Sequence, residues 1–185
     1  MAGRETAKPQ SSHSTLKKDR LIKVFDLFFD TDHYYIKRPS IVKQIRFDNR
    51  TFYAKFERIE EPLTPLLLQQ HLNKQYTIAV PLLKEGLTDY LVLEYKGEEH
   101  QRFAPLVKHL FGTLGITDYH IYRGRDEEKI QVFIKVNHLT LEEADAQLQA
   151  ISDKLKQRLT KRWKTLPSTQ LPEEYNIVTL PYSPI

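Results

Sequence analysis

Cysteine is absent from this chain. That absence excludes a disulfide framework, a thiolate zinc site and a cysteine nucleophile, and it suits a reducing compartment. No run of about 18 apolar residues occurs, so a membrane-spanning helix is not expected. The N-terminus has no apolar h-region, and the expectation is a cytoplasmic protein without a secretory signal. The seven histidines show no H-x-x-x-H or comparable ligand spacing, and they read as structural or surface groups. Neither a membrane partner nor a resident metal or cofactor is expected.

What is present suffices for one globular domain: 185 residues, 40% of them apolar, can bury a sizeable core. Residues 1–14 are polar, include Pro9, and read as a disordered tail. Residues 15–185 read as a single domain, with 15–75 an N-terminal α/β extension and 76–185 the core. The net charge of +4 is mild, but it is unevenly placed. Residues 1–24 hold six basic side chains, and Ile151–Lys164 holds six more: Lys154, Lys156, Arg158, Lys161, Arg162 and Lys164. Such a stripe can follow a phosphate backbone, or be a solvated helix face.

The apolar spacing of Leu21, Val24, Phe25, Phe28 and Phe29 predicts a helix over 15–29. Thr51–Ile59 alternates with period two and predicts a strand. Pro62 and Pro65 precede a short helix, as proline tolerates a helix start. Strands are predicted over Tyr76–Leu83 and Asp89–Lys96, joined around Gly86. Phe103, Leu106, Val107, Leu110, Phe111 and Leu114 form one helix face closed by Gly115. "DYHIYRG" and "KIQVFIKV" predict a hairpin. Thr140 and Glu143 have capping-box spacing, opening a helix expected to run from 140 to 163. "NIVTL" is expected as the last strand. From Asp89 the order is β-α-β-β-α-β, so the fold class expected is α+β with a ferredoxin-like, RNA-recognition-type core. Two helices should cover one sheet face and leave the other open for a ligand.

"DTDH" at Asp30–His33 reads as a turn rather than a metal site, since close neighbours supply poor convergent geometry. "RGRDEEK" at Arg123–Lys129 is either a phosphate-binding turn, through Arg123, Arg125 and Lys129, or a solvated hairpin tip. Tyr34, Tyr35, Phe52, Tyr53, Tyr119, Tyr122 and Phe133 alternate with basic residues and could stack bases from an open sheet face, although most should be core.

Taken in order, six stretches resemble a family. "PLTPLLLQQHL" (Pro62–Leu72), "YTIAVPLL" (Tyr76–Leu83), "YLVLEYKG" (Tyr90–Gly97), "LFGTLGI" (Leu110–Ile116), "IQVFIKV" (Ile130–Val136) and "LPSTQLPEEYNIVTLP" (Leu166–Pro181) are similar to the catalytic domain of archaeo-eukaryotic primases, in particular the primase-polymerases of bacterial conflict systems. More weakly, "VFDLFFDTDHYYIKR" (Val24–Arg38) resembles that family's opening segment. The resemblance covers about residues 20–183 and implies a primase-like fold, nucleotide or nucleic-acid binding, and a partner protein in replication or defence.

It also implies degenerate chemistry. The family's two metal-binding acids fall on Glu94 and Lys96, its active-site histidine falls on Gln131, and its cysteine cluster has no counterpart. Two-metal nucleotidyl transfer needs several carboxylates to balance two dications about 4 Å apart. One Glu beside an ammonium does not supply them, so no catalytic residue is assigned and the positions are read as a former active site. Nucleic-acid contacts are expected from Arg123, Arg125, Lys129, Arg158, Lys161, Arg162 and Lys164. Two other readings stand beside this one. A divergent nucleotidyltransferase would use Mg or Mn and recruit Glu94, Asp89, Glu98 or Glu99 with an acid from Asp126–Glu128. A plain protein-docking domain would use the open sheet face.

Overall fold

The structure, a computed structural model, describes residues 20–185. The expected tail over 1–14 and the basic residues Arg4, Lys8, Lys17 and Lys18 lie outside the described residues. The chain is mixed α+β, with three α-helices among the described residues.

The expected first helix is instead a hairpin of β1 (Leu21–Val24) and β2 (Leu27–Asp30). Ile22, Val24, Leu27 and Phe29 are buried while Leu21 and Phe28 are exposed. That alternation fits period two once a two-residue turn is allowed, and the same residues also fit a helical stripe. Phe25 takes a left-handed φ of 55° at the turn, uncommon for a bulky residue. Its ring stacks on Tyr122 with centroids 5.5 Å apart. Two phenol oxygens hold the hairpin's backbone: Tyr122 accepts from Asp26 N–H at 3.3 Å and Tyr90 from Phe28 N–H at 2.9 Å.

The next stretch carries β3 (Tyr34–Lys37), β4 (Lys43–Phe47), β5 (Arg50–Ala54) and β6 (Phe56–Ile59). β4 and β5 close around Asp48 and Asn49, both left-handed (φ 48° and 58°), as a two-residue hairpin turn requires. The strand expected over Thr51–Ile59 is two strands, because the chain leaves the β4 ladder at Lys55 and joins β3. α1 (Pro65–Leu72) starts with Pro65 behind Thr64, whose hydroxyl accepts from Leu67 N–H at 3.2 Å.

β7 (Ile78–Pro81) and β8 (Leu87–Lys96) follow, then α2 (His100–Leu114), whose C-cap Gly115 adopts φ 71°. β9 (Tyr119–Arg123) and β10 (Lys129–Thr140) form the expected hairpin. α3 (Leu141–Lys156) is capped by Thr140, which accepts from Glu143 N–H at 3.2 Å. The helix ends at Lys156, not 163, and Trp163–Leu166 is a strand, β11. The basic segment Ile151–Lys164 is therefore divided among helix, connection and strand, and it is no single helical stripe. β12 (Ile177–Thr179) and β13 (Ser183–Pro184) complete the chain.

Besides the two-stranded β1–β2 and β4–β5 sheets, two larger sheets form, with orders β11-β8-β10-β9-β13 and β12-β7-β3-β6; every ladder in them is antiparallel. The strand that completes the helix-covered sheet is β11, whereas the expected "NIVTL" strand pairs with β7 in the other sheet. Leu91, Leu93 and Tyr95 of β8 pack with Phe103, Val107 and Phe111 of α2 and Ala144, Leu148 and Leu155 of α3, so both helices lie on one face. The opposite face is not open. Tyr90, Val92, Tyr122 and Phe133 are buried against Ile36, Ile78, Val80 and Val178 of the second sheet and against the β1–β2 hairpin. The apolar alternate residues of β3, β7 and β12 require such a partner surface, and the exposed platform is lost to it.

Candidate functional site

A cleft of about 760 Å³ opens where the two sheets diverge. One wall is the face of the second sheet that carries Tyr35, Lys37, Phe56, Arg58, Ile177 and Thr179, aligned by the register of β6, β3, β7 and β12. The wall facing it comes from Ile41, Val42, Lys43, Tyr53 and Ala54 of the β4–β5 hairpin. Glu94, Lys164 and Leu166 of the five-stranded sheet close one end.

Glu94 alternates with Val92 on the face of β8 away from the helices. Its side chain is only 4% exposed. Lys129 Nζ lies 3.2 Å and Lys164 Nζ 4.0 Å from its Oε2, yet that oxygen receives no hydrogen bond. Across the ladder, directly opposite Glu94, stands Gln131. Its Nε2 donates to the Thr179 carbonyl at 2.8 Å, tying the two sheets together, and its Oε1 is buried without a donor. The cleft's other carboxylates are engaged: Glu57 with Arg38 and Glu174 with Lys43, both at 2.6 Å.

Two of the positions singled out by sequence, Glu94 and Gln131, are thus brought together, and Lys129 and Lys164 join them. Lys96 is not part of the group. It is exposed at the end of β8, and the ammonium beside the carboxylate is that of Lys129. Arg125 donates to Thr77 Oγ1 at 2.7 Å and to the Lys74 carbonyl at 3.5 Å, bracing the hairpin tip against the α1–β7 loop. Arg123 is exposed on β9, Arg158 lines a small groove between the C-terminal ends of α2 and α3 on the helix side, and Lys161 and Arg162 are exposed in the α3–β11 connection. Asp30–His33 forms a turn in which Asp32 pairs with His33 at 2.7 Å and Asp30 with Lys84 at 2.6 Å. Among the described residues no three His, Asp or Glu side chains converge as metal ligands. No described helix is long and apolar enough to cross a membrane.

Of the aromatics proposed to stack bases, Tyr34, Tyr122 and Phe133 are core, Tyr119 packs on Phe111, and Phe52 meets Tyr175. Tyr35 and Tyr53 do reach the cleft. Burial holds the Tyr35 hydroxyl above its ordinary pKa. Sequence reasoning missed Lys37 and Lys43, because β3 and β4 were not seen as strands, and Lys55 and Arg58, whose strand was expected but whose pairing with β3 was not. His71, read with the other histidines as a structural or surface group, is fully buried. There Nδ1 accepts from Ile78 N–H at 3.0 Å, Nε2–H donates to the Leu180 carbonyl at 2.9 Å, and burial lowers the pKa to about 4.

Residues 14–87 match the family described as Domain of unknown function (DUF1882). That stretch carries β1 to β7 and α1, and so supplies most of the cleft's walls. The match ends where β8 begins, before Glu94 and Lys164. No curated protein matches the chain.

Proposed function

We propose that the chain is a non-catalytic, primase-like module whose inter-sheet cleft binds a nucleotide unit, free or within a single strand, in support of a partner replication or defence protein. The observation that carries this reading is the make-up of the cleft. Tyr35, Tyr53, Phe56 and Tyr175 offer ring faces, and Lys37, Lys43, Lys55, Arg58 and Lys164 offer cationic groups around them. Ring stacking and cationic tracking of phosphates are the two recurring elements of single-strand recognition.

The topology supports the fold part of the reading. β8-α2-β9-β10-α3-β11 with strand order β11-β8-β10-β9 is the order of a ferredoxin-like split βαβ unit. Glu94, which falls on an acid position of the primase family, lines the cleft, and Gln131, on the histidine position, stands opposite it on β10, fully buried and outside the lining. The carboxylates there are each beside a cation already, so no set is free to hold two dications.

The test is fluorescence anisotropy of a labelled single-stranded oligonucleotide over a salt titration, with mononucleotides as competitors. Affinity should fall with salt with a log–log slope of about −0.7 per phosphate neutralised. Joint reversal of Lys43, Lys55 and Lys164 to Glu should weaken binding by about tenfold or more and flatten the slope, while reversal of Arg158, Lys161 and Arg162 should do less. Absence of binding to both oligonucleotides and mononucleotides refutes the reading. Primer extension with Mg or Mn that disappears in Glu94→Ala would instead establish the nucleotidyltransferase.

A further inference from the structure

The inner end of the cleft has a chemical character different from its rim. Glu94, which closes this end, carries a buried acceptor, Oε2, that receives no hydrogen bond; Gln131 stands directly opposite on β10, fully buried and outside the cleft lining. A buried acceptor left without a donor is destabilising, and each such case in a folded protein asks for a cause, an absent ligand among them. Glu94 lines the cleft, while its side chain is more than nine-tenths buried. Lys129 and Lys164 offset its charge, but their placement leaves Oε2 without a hydrogen bond. The rest of the lining holds the rings of Tyr35, Tyr53, Phe56 and Tyr175 and the exposed side chains of Lys37, Lys43 and Lys55.

A ligand matching this lining has hydrogen-bond donors for Glu94, a planar ring for the aromatic side chains and negative charge for the exposed lysines. We infer that the cleft selects guanine nucleotides, with Glu94 accepting from the base's N1–H and 2-amino group and the basic rim taking the phosphate. The inference rests on the nucleotide-binding reading above and adds the base.

Donor geometry separates the bases. Guanine presents two adjacent N–H donors on its Watson–Crick edge, matching the two oxygens of one carboxylate. Adenine and cytosine present a single amino donor beside a ring-nitrogen lone pair, which a carboxylate repels. Uracil and thymine offer one N–H between two carbonyl oxygens, and both carbonyls face the carboxylate unfavourably. A site built to hydrogen-bond a donor pair rejects analogues lacking it, because its own buried polar groups are then left unpaired. Bidentate recognition of a base edge discriminates by about 5- to 150-fold. The two lysines offset the cost of burying the carboxylate before ligand arrives, and a base edge would supply the hydrogen bonds they do not make.

The experiment is calorimetric titration of the full chain with GMP, IMP, XMP, AMP, CMP and UMP at one salt concentration. GMP should bind about tenfold or more tightly than AMP, CMP or UMP. IMP, which keeps N1–H but lacks the 2-amino group, should fall between. In Glu94→Gln the amide presents one donor and one acceptor, so the preference should move from GMP to XMP, whose 2-carbonyl accepts where guanine donates. That exchange also reports that the variant is folded. A thymine oligonucleotide carrying one guanine should displace GMP if the cleft takes a strand, and an all-thymine oligonucleotide should not. If neither displaces it, the ligand is the free nucleotide. Equal affinity for all bases, or a guanine preference that Glu94→Gln leaves intact, overturns the inference while leaving nucleotide binding in place. Binding of no nucleotide and no oligonucleotide removes both.

Discussion

Acidification from pH 7.5 to 5 should destabilise this protein through His71. The imidazole lies in the last turn of α1, fully buried, between the Ile78 N–H and the Leu180 carbonyl, with its ring stacked on Tyr182 at 4.2 Å. Nδ1 accepts a hydrogen bond, so a second ring proton has no place unless the Ile78 contact breaks. Burial is the main cause of the lowered pKa of about 4; the Leu180 and Pro181 carbonyls oppose it, and the Arg125 charge adds to it. The folded value lies below the unfolded value of 6.5. Between the two the unfolded chain binds the proton and the folded chain does not. Stability is therefore full above about pH 6.5 and falls as the pH drops toward 4. The 2.5-unit difference is worth about 3 kcal/mol when complete, and about 2 kcal/mol is already lost at pH 5. Urea unfolding at pH 7.5, 6 and 5, followed by the buried Trp163, measures the loss, and an NMR titration gives the His71 pKa directly. His71→Phe leaves a backbone donor and an acceptor unpaired, at about 1–3 kcal/mol each. It should also flatten this part of the pH profile. An imidazole titrating near 6.5 in the folded protein, or equal wild-type stability at pH 7.5 and 5, would refute the reasoning.

Thr140→Ala removes the cap on α3 and should cost about 1 kcal/mol in urea unfolding at constant m. Leu93, fully buried between β8 and the helices, should cost about 2–5 kcal/mol on truncation to Ala, whereas the exposed Leu66 should cost much less in the same assay. Trp163 Nε1–H donates to Ser152 Oγ at 2.9 Å, and both residues are buried. Trp163→Phe and Ser152→Ala each orphan the other partner, so the double variant should be less destabilised than the sum of the singles, and simple additivity would refute the bond's role.

The sequence by itself determined the elements whose signals are local. Proline and Thr64 start α1, Thr140 with Glu143 starts α3, Gly115 ends α2, and the apolar stripe of α2 fixes its buried face. The β9–β10 hairpin is legible from two β-rich runs across a charged turn. These are decided by hydrogen bonds and side-chain periods spanning a few residues.

Tertiary structure decided the rest. Leu21, Val24, Phe25, Phe28 and Phe29 fit a helical stripe, while Ile22, Val24, Leu27 and Phe29 fit two strands. Tyr90 and Tyr122, distant in sequence, select the strands by holding the hairpin's backbone. Either Trp163–Leu166 or Ile177–Thr179 could have completed the helix-covered sheet. The choice rests on where Trp163 meets Ser152 and Phe103, and where Val178 meets Val80. The placement of Glu94 beside Lys129 and Lys164 is a consequence of register between strands far apart in the chain. Side-chain period within one strand tells which residues share a face; only pairing between strands tells which charge lies opposite which, and that pairing is set by the packing of both sheets together.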